Sequence, residues 1–213
     1  MRVSQITFDE SGKVHLVVEI PESDAFLTEE MPRMPRILFR MFPYLAAQRC
    51  YNDLQVSFRR EATNTEIPHL FEHLLLEVQK QVRRGIVDPS PISGETQWNW
   101  TVDPRGLFHV TVGYDNEIVA LASIRLCERI MASLDSPEHT VIDVDREIKR
   151  LRELAKASRR FIAPRRPSVA EMENKFAEEA GVGLLREDSE SVMSTHGRTN
   201  GISQISQPLC PQG

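Results

Sequence analysis

Residues 66–79, EIPHLFEHLLLEVQ, form the most apolar helical stretch of the chain, and the other elements are expected to pack around it. Four polar residues interrupt the stretch: His69, Glu72, His73 and Glu77. Successive residues of an α-helix are rotated by about 100°, so these four side chains share one broad face. The opposite side is apolar and is expected to face the core; it consists of Leu70, Phe71, Leu74 and Val78. Because an unsatisfied buried polar group costs on the order of 1–3 kcal/mol, the four polar side chains need partners.

The other elements are predicted from hydrophobic periodicity and turn residues. The helix that contains residues 66–79 is expected to begin at an N-cap, Thr65, and to end at Arg83 and Arg84, before Gly85. Strands are predicted at residues 2–8, 14–20, 53–60, 95–102 and 106–114. Further helices are predicted at residues 36–48, 116–134, 143–161 and 168–181.

These elements indicate an α+β fold, in which a small sheet built from two hairpins packs against the histidine-bearing helix. Charged C-terminal helices follow the sheet. The predicted organisation is an α+β domain at residues 1–140, a helical extension at 141–184 and a disordered, Ser- and Gln-rich tail at 185–213.

Composition excludes several classes of function. The chain has 213 residues and a net charge of −5, which argues against nucleic acid or an anionic membrane as a partner. No apolar run approaches the ~18 residues that a membrane helix needs, and the N-terminus lacks the features of a signal peptide. Three widely spaced cysteines, Cys50, Cys127 and Cys210, do not suggest a disulfide framework. Cys50 and Cys127 are expected to be small buried residues, and the protein is expected to be cytoplasmic.

The pattern His-x-x-Glu-His at residues 69–73 is the inverted zinc motif of metallopeptidases. Two imidazoles one helical turn apart can bind one Zn²⁺ ion at about 2.0–2.1 Å. Glu72 is then placed to accept a proton from a water molecule whose pKa the metal has lowered to roughly 7. Glu77, one turn beyond His73, is the first choice for the third ligand; His109 and Glu117 are less favoured. The alternative is a pair of structural histidines, with Glu77 as the i,i+4 partner of His73.

The same residues resemble a known family. The segments IPHLFEHLLLEVQ, GETQ and GLFHVTVGYDNEIVALASIRL resemble the N-terminal domain of cyanophycin synthetases, and so do FPYLAAQRC upstream and the charged helix from residue 145 onward. The resemblance covers roughly residues 40–183. It implies that His69, His73 and Glu77 bind zinc, that Glu72 is the general base, and that the substrate is cyanophycin or a related β-aspartyl-arginine peptide. Cyanophycin has a poly-aspartate backbone that bears arginine on each side-chain carboxyl group.

Two departures from the family pattern concern the site. The family's Gly-Arg-Thr-Arg segment is GETQ here, so Glu95 and Gln97 replace two arginines. With His109, they are the candidate substrate-binding residues, and Glu95 could pair with a substrate guanidinium. The family's histidine before Cys50 is Gln48. The ATP-grasp and Mur-ligase-like domains of the synthetase are not in this sequence, so polymer synthesis is not expected.

The sequence therefore predicts a zinc-dependent hydrolase that cleaves cyanophycin-like polymer with metal-activated water and a glutamate base. The alternative is a non-catalytic module that binds cyanophycin or a synthetase. A third hypothesis is a metal-free helix that serves an assembly interface, and a homodimer is left open as the oligomeric state.

Overall fold

A computed structural model describes residues 1–51, 56–84, 92–135 and 142–159 of the chain. These residues form four strands and five α-helices, with a single 3-10 turn at Leu45–Ala47. The strands are β1 (Arg2–Phe8), β2 (Lys13–Glu19), β3 (Gly94–Gln97) and β4 (Leu107–Gly113). The helices are α1 (Arg33–Met41), α2 (Phe58–Glu61), α3 (Ile67–Arg83), α4 (Glu117–Asp135) and α5 (Val144–Arg159). The predicted α+β fold class is confirmed.

The four strands form one antiparallel sheet in the order β1-β2-β4-β3. Alternation gives the sheet one apolar face, because successive side chains of a strand point to opposite sides. Across β2 and β4 the buried pairs on this face are Val14 with Val112, Leu16 with Val110 and Val18 with Phe108. The sheet therefore has a single face against which a helix can pack.

Helix α3 is central to the packing: it contacts β3 and β4 on one side and α4 and α5 on the others. Leu70, Phe71, Leu74 and Leu75 are fully buried, as expected for a helix enclosed by both sheet and helices, and Leu76 is partly buried. Glu72, His73, Glu77 and Gln79 of α3 are also buried. The chemically active residues are therefore enclosed by packed structure and need partners from neighbouring segments.

The predicted strand at residues 53–60 is wrong for its described part, because Phe58–Glu61 form the one-turn helix α2. The physical reason is that Phe58 and Ala62, four residues apart, are both fully buried while Arg59 and Arg60 between them are exposed. That spacing puts both apolar side chains on one side of a helical turn. Residues 52–55 lie outside the described residues.

Two other boundaries differ from prediction. Helix α1 begins at Arg33 rather than residue 36, since proline is tolerated in a first helical turn, and it ends at Met41, before Pro43. Strand β3 ends at Gln97, so the predicted strand at 95–102 is too long. The side-chain oxygen of Asn99 accepts a hydrogen bond from the backbone of Thr101, which turns the chain away from the sheet.

Helices α4 and α5 confirm the predicted helices at 116–134 and 143–161 to within two residues at each end. None of the described helices is long and apolar enough to cross a membrane. The predicted helix at 168–181 and the predicted tail from residue 185 lie outside the described residues. The proposed domain boundaries at 140 and 184 stay predictions.

We predict that Gly106→Ala destabilises the fold more than Gly12→Ala does. Both glycines have positive φ, +85° and +81°, and an alanine there costs about 1–2 kcal/mol. At Gly106 the added Cβ would also overlap the carbonyl oxygen of Ile20, whereas at Gly12 its nearest neighbour lies at 3.6 Å. Because of this overpacking, we expect Gly106→Ala to lose on the order of 1–3 kcal/mol more unfolding free energy than Gly12→Ala. Urea unfolding of both variants measures the difference. Equal losses of unfolding free energy would contradict this account of Gly106.

Candidate metal centre

Two imidazole rings meet on one side of α3. The ring centroids of His69 and His73 are 4.9 Å apart, as expected for residues one helical turn apart. His69 is half-buried and His73 is only 3% exposed. The ring of Phe58 stacks on His73 with a centroid separation of 3.6 Å, so α2 covers the pair on that side.

The Nδ1 atom of each histidine already has a hydrogen-bond partner. His73 Nδ1 lies 2.8 Å from Gln48 Oε1, and His69 Nδ1 lies 2.7 Å from Thr65 Oγ1. The Gln48 amide nitrogen donates to the carbonyl oxygen of His73, so the Gln48 oxygen is the acceptor and His73 Nδ1 is the donor. The lone pair of His73 is therefore on Nε2. Metal-binding histidines commonly donate their second nitrogen to such a partner, which orients the ring.

Cys50 joins the two histidines. One ligand atom each of Cys50, His69 and His73 lie within 4.8 Å of one another, and the Cys50 sulfur is 3.4 Å from His69 Nε2. Thiolate and imidazole are the ligands that zinc most often has in proteins. The described residues therefore contain a Cys-His-His set whose chemistry fits zinc.

Glu77 occupies a different position. It is fully buried, and its two carboxylate oxygens accept hydrogen bonds from the side-chain amides of Gln48 and Gln81, at 3.2 and 2.9 Å. It is not part of the Cys50, His69 and His73 group. In the described structure Glu77 accepts a hydrogen bond that helps to hold Gln48. Its assignment as the third zinc ligand stays a prediction.

Glu72 faces the sheet. Its carboxylate accepts a hydrogen bond of 2.7 Å from Thr96 Oγ1 on β3. Gly94 on the same strand leaves the space for that carboxylate, because a Cβ there would overlap Glu72 Oε1. Burial raises the pKa of Glu72 to about 7, the Thr96 hydrogen bond opposes this shift, and the charge of Glu95 adds to it. A carboxyl group with this pKa is suited to exchange a proton near neutral pH.

Burial has the opposite effect on the two histidines. It lowers the pKa of His69, and it lowers the pKa of His73 to about 3, with a further contribution from His69. Desolvation disfavours the charged form of any ionisable group. It therefore raises the pKa of a buried acid and lowers the pKa of a buried base. Both imidazoles are therefore neutral at physiological pH, which is the state that binds metal.

The other predicted site residues lie elsewhere. Glu95, Gln97 and His109 are exposed, and the strand register pairs Gln97 with His109 on the sheet face opposite to the buried one. His109 Nε2 lies 3.0 Å from an Asp103 carboxylate oxygen. Glu117 is exposed at the start of α4. The structure brings none of them into the Cys-His-His group, and their roles in substrate binding stay predictions.

Sequence reasoning missed two residues of this region. Cys50 was expected to be a small buried residue, but it is half-buried beside His69; Gln48 was assigned no role, but it connects His73 with Glu77. Both belong to the segment FPYLAAQRC, in which the resemblance to the synthetase family had placed a histidine and a cysteine two residues apart. Gln48 and Cys50, two polar residues after the apolar part of this segment, were the sequence signal that could have indicated their place in the site.

A comparison with protein families supports the resemblance. A sequence model described as the cyanophycin synthase-like N-terminal domain matches residues 15–136, more than half of the 213-residue chain. The match includes all of α3, β3 and β4 and the residues Gln48 and Cys50. The chain has no significant match among curated proteins.

We predict that, in metal-free protein, Glu72→Gln is more stable than wild type at neutral pH and that its advantage disappears in acid. With its pKa raised from 4.5 to about 7, folded Glu72 holds its proton more tightly than the unfolded chain does. Wild type therefore loses stability as pH rises from about 4.5 to about 7, by on the order of 3 kcal/mol, and no more above that. Urea unfolding with chelator from pH 4.5 to 8 measures the difference; a difference that does not vary with pH would contradict it.

Proposed function

This chain belongs to the cyanophycin synthase-like N-terminal domain family, and we propose that it is a zinc-dependent peptidase that cleaves cyanophycin or related β-aspartyl-arginine peptides. The observation that carries the proposal is the convergence of Cys50, His69 and His73, with Glu72 adjacent in sequence to His73. The family supports the association with cyanophycin. The hydrolytic reaction is our inference from the residues.

The proposed zinc ligands are His69 and His73, with Cys50 or Glu77 as the third. The histidines suit the role because both are neutral and both have Nδ1 engaged, by Thr65 and Gln48, which leaves Nε2 for a ligand. A zinc ion held there would supply polarisation of the scissile carbonyl group and a lowered pKa of water. Gln48 would keep the His73 ring oriented and Glu77 would keep Gln48 in place.

Glu72 is the proposed general base. As a carboxylate it would take a proton from the attacking water, and as a carboxylic acid it would pass that proton to the leaving nitrogen. A pKa of about 7 permits both directions near neutral pH. Thr96 holds one carboxylate oxygen by its hydrogen bond, and the small residue Gly94 leaves room for the group beside the strand.

A second candidate function is a non-catalytic module that binds cyanophycin or a synthetase. The observation that favours it is burial: Glu72 is 4% exposed and His73 is 3% exposed, so a polymer backbone would reach them only after some opening of the site. In this case the histidines and Cys50 would hold a structural metal. The two functions differ in whether the polymer is cleaved, since both would retain metal.

We predict that metal content separates the proposed ligands from their neighbours. Wild type purified with zinc should hold close to one ion per chain, and His73→Ala almost none, because one imidazole alone binds weakly. Cys50→Ala should lower the zinc affinity by at least tenfold if the thiolate is the third ligand, whereas Glu77→Gln should then have less effect. Mass spectrometry and competition with a chelator measure both. Full loss of zinc in Glu77→Gln with retention in Cys50→Ala would reverse this assignment.

We predict that Glu72→Gln retains zinc and loses at least a hundredfold in the rate of cyanophycin cleavage, because glutamine cannot accept the proton of the attacking water. Release of arginine-bearing peptides is measured by chromatography. Glu10→Gln is the matched control, since it removes an exposed carboxylate from the turn between β1 and β2 and leaves the metal-binding helix unchanged. Undiminished cleavage by Glu72→Gln would rule out the mechanism, and zinc-loaded wild type without cleavage would favour the binding module.

A further inference from the structure

Four arginines surround an open groove at α1. The groove has a volume of about 850 Å³, and its walls are the side chains of Arg33, Arg36, Ile37, Phe39, Arg40 and Arg59. Three of these arginines are on α1 and Arg59 is on α2. Among the residues that the structure describes, none of those lining the groove is acidic, and α1 contains no acidic residue. It is a concentrated positive region on a chain whose net charge is −5.

The α1 arginines form a stripe along one helix face. Residues 33, 36 and 40 fall within about 60° of one another around the axis, and they span roughly 10 Å along it. All three are exposed, as is Arg59. The Arg59 guanidinium lies over the ring of Phe39, 5.6 Å from its centroid, and this contact directs it to the same groove.

The described part of the chain supplies no ion pair to these charges. Within the described ranges, none of the ion pairs involves the four groove arginines, although other arginines, such as Arg125 and Arg150, do pair with glutamates. Neighbouring like charges repel one another, and an anion bound between them would relieve that repulsion. A guanidinium presents paired N–H donors that match the two oxygens of a carboxylate.

The groove adjoins the histidine pair through aromatic rings. Phe39 in the groove wall contacts Phe58 edge-to-face, with centroids 6.3 Å apart, and Phe58 stacks on His73. Arg59 directly follows Phe58 in the chain. One phenylalanine ring, that of Phe58, therefore separates the groove's aromatic wall from the candidate metal ligand.

We propose that this arginine groove binds the carboxylates of an extended polycarboxylate peptide. The identification of that peptide as the polymer rests on the proposed function. In a β-aspartyl-arginine unit the amide bond uses the aspartate β-carboxyl group and the arginine α-amine, so each unit keeps a free α-carboxylate. An extended chain places alternate side chains about 6.6–6.8 Å apart on one side. The α1 arginines, roughly 4.5 and 6 Å apart along the helix axis, can follow such a row.

Nucleic acid is the competing polyanion. A chain with a net charge of −5 would repel a long phosphate backbone outside the groove, whereas a short carboxylate peptide places few charges outside it. The observations therefore favour a polycarboxylate peptide.

The test is binding of a fluorescently labelled ten-residue poly-L-aspartate to the full chain, measured by anisotropy in the presence of chelator. We expect Arg36→Gln/Arg40→Gln to weaken binding at least tenfold. The matched control is Arg146→Gln/Lys149→Gln, which removes two positive charges from exposed positions of α5 and should change affinity less than twofold. Circular dichroism checks that both variants fold. Binding in the wild type should weaken as salt is added.

Three outcomes would overturn the proposal: wild-type affinity in the groove variant, equal losses in the groove and control variants, or displacement of the peptide by single-stranded DNA at a lower concentration than by unlabelled poly-aspartate. Poly-aspartate carries no arginine branches, so this result is independent of cleavage. With cyanophycin itself, the groove variant should raise KM and leave kcat unchanged. Cleavage with unchanged KM would overturn the groove alone, whereas groove-dependent peptide binding without any cleavage would support the groove and overturn the peptidase.

Discussion

The side chain of Gln48 connects the polar residues of α3 to the segment before it. Its oxygen accepts from His73 Nδ1, and its nitrogen donates to the backbone of His73 and to Glu77. Glu77 is fully buried and His73 nearly so, and without these bonds His73 Nδ1 and one of the two Glu77 carboxylate oxygens would be unsatisfied; Gln81 holds the other oxygen. The Gln48 amide thus adds to the burial of Leu45 and Ala46 in holding residues 45–50, and with them Cys50, beside α3.

Because α3 is enclosed between the sheet and the helices, burial shifts the pKa values of its histidines and of Glu72. The same desolvation keeps both histidines neutral and makes the Glu72 carboxyl group titrate near neutral pH. The two effects are useful together, because a metal needs neutral imidazole and a general base needs a pKa near the working pH. An exposed helix with the same motif would have histidines and a glutamate with ordinary pKa values.

Different segments of the chain contact the two sides of α3. The histidines face α2 and the segment that contains Gln48 and Cys50, whereas Glu72 faces β3, where Thr96 and Gly94 receive it. Phe58 then stands between the histidines and the arginines of the α1 groove. The candidate base, the candidate metal ligands and the positive groove thus lie close together and are contacted by different elements.

From sequence alone, the two hairpins, α3, α4, α5 and the α+β class could be predicted, because alternation and 3.6-residue periodicity are local properties. The placement of His69 and His73 one helical turn apart could also be predicted, but in the structure Glu72 faces β3 and Glu77 is held by Gln48 and Gln81. Tertiary structure decided the rest. The predicted strand at 53–60 includes Phe58, whereas the burial of Phe58 and Ala62 goes with a helical turn. Trp98 and Trp100 leave the sheet because Asn99 turns the chain. Cys50, Gln48 and Thr96 lie 19 to 29 residues from the α3 groups that they contact. Periodicity carries no information on such contacts, because they depend on how segments pack after each has formed.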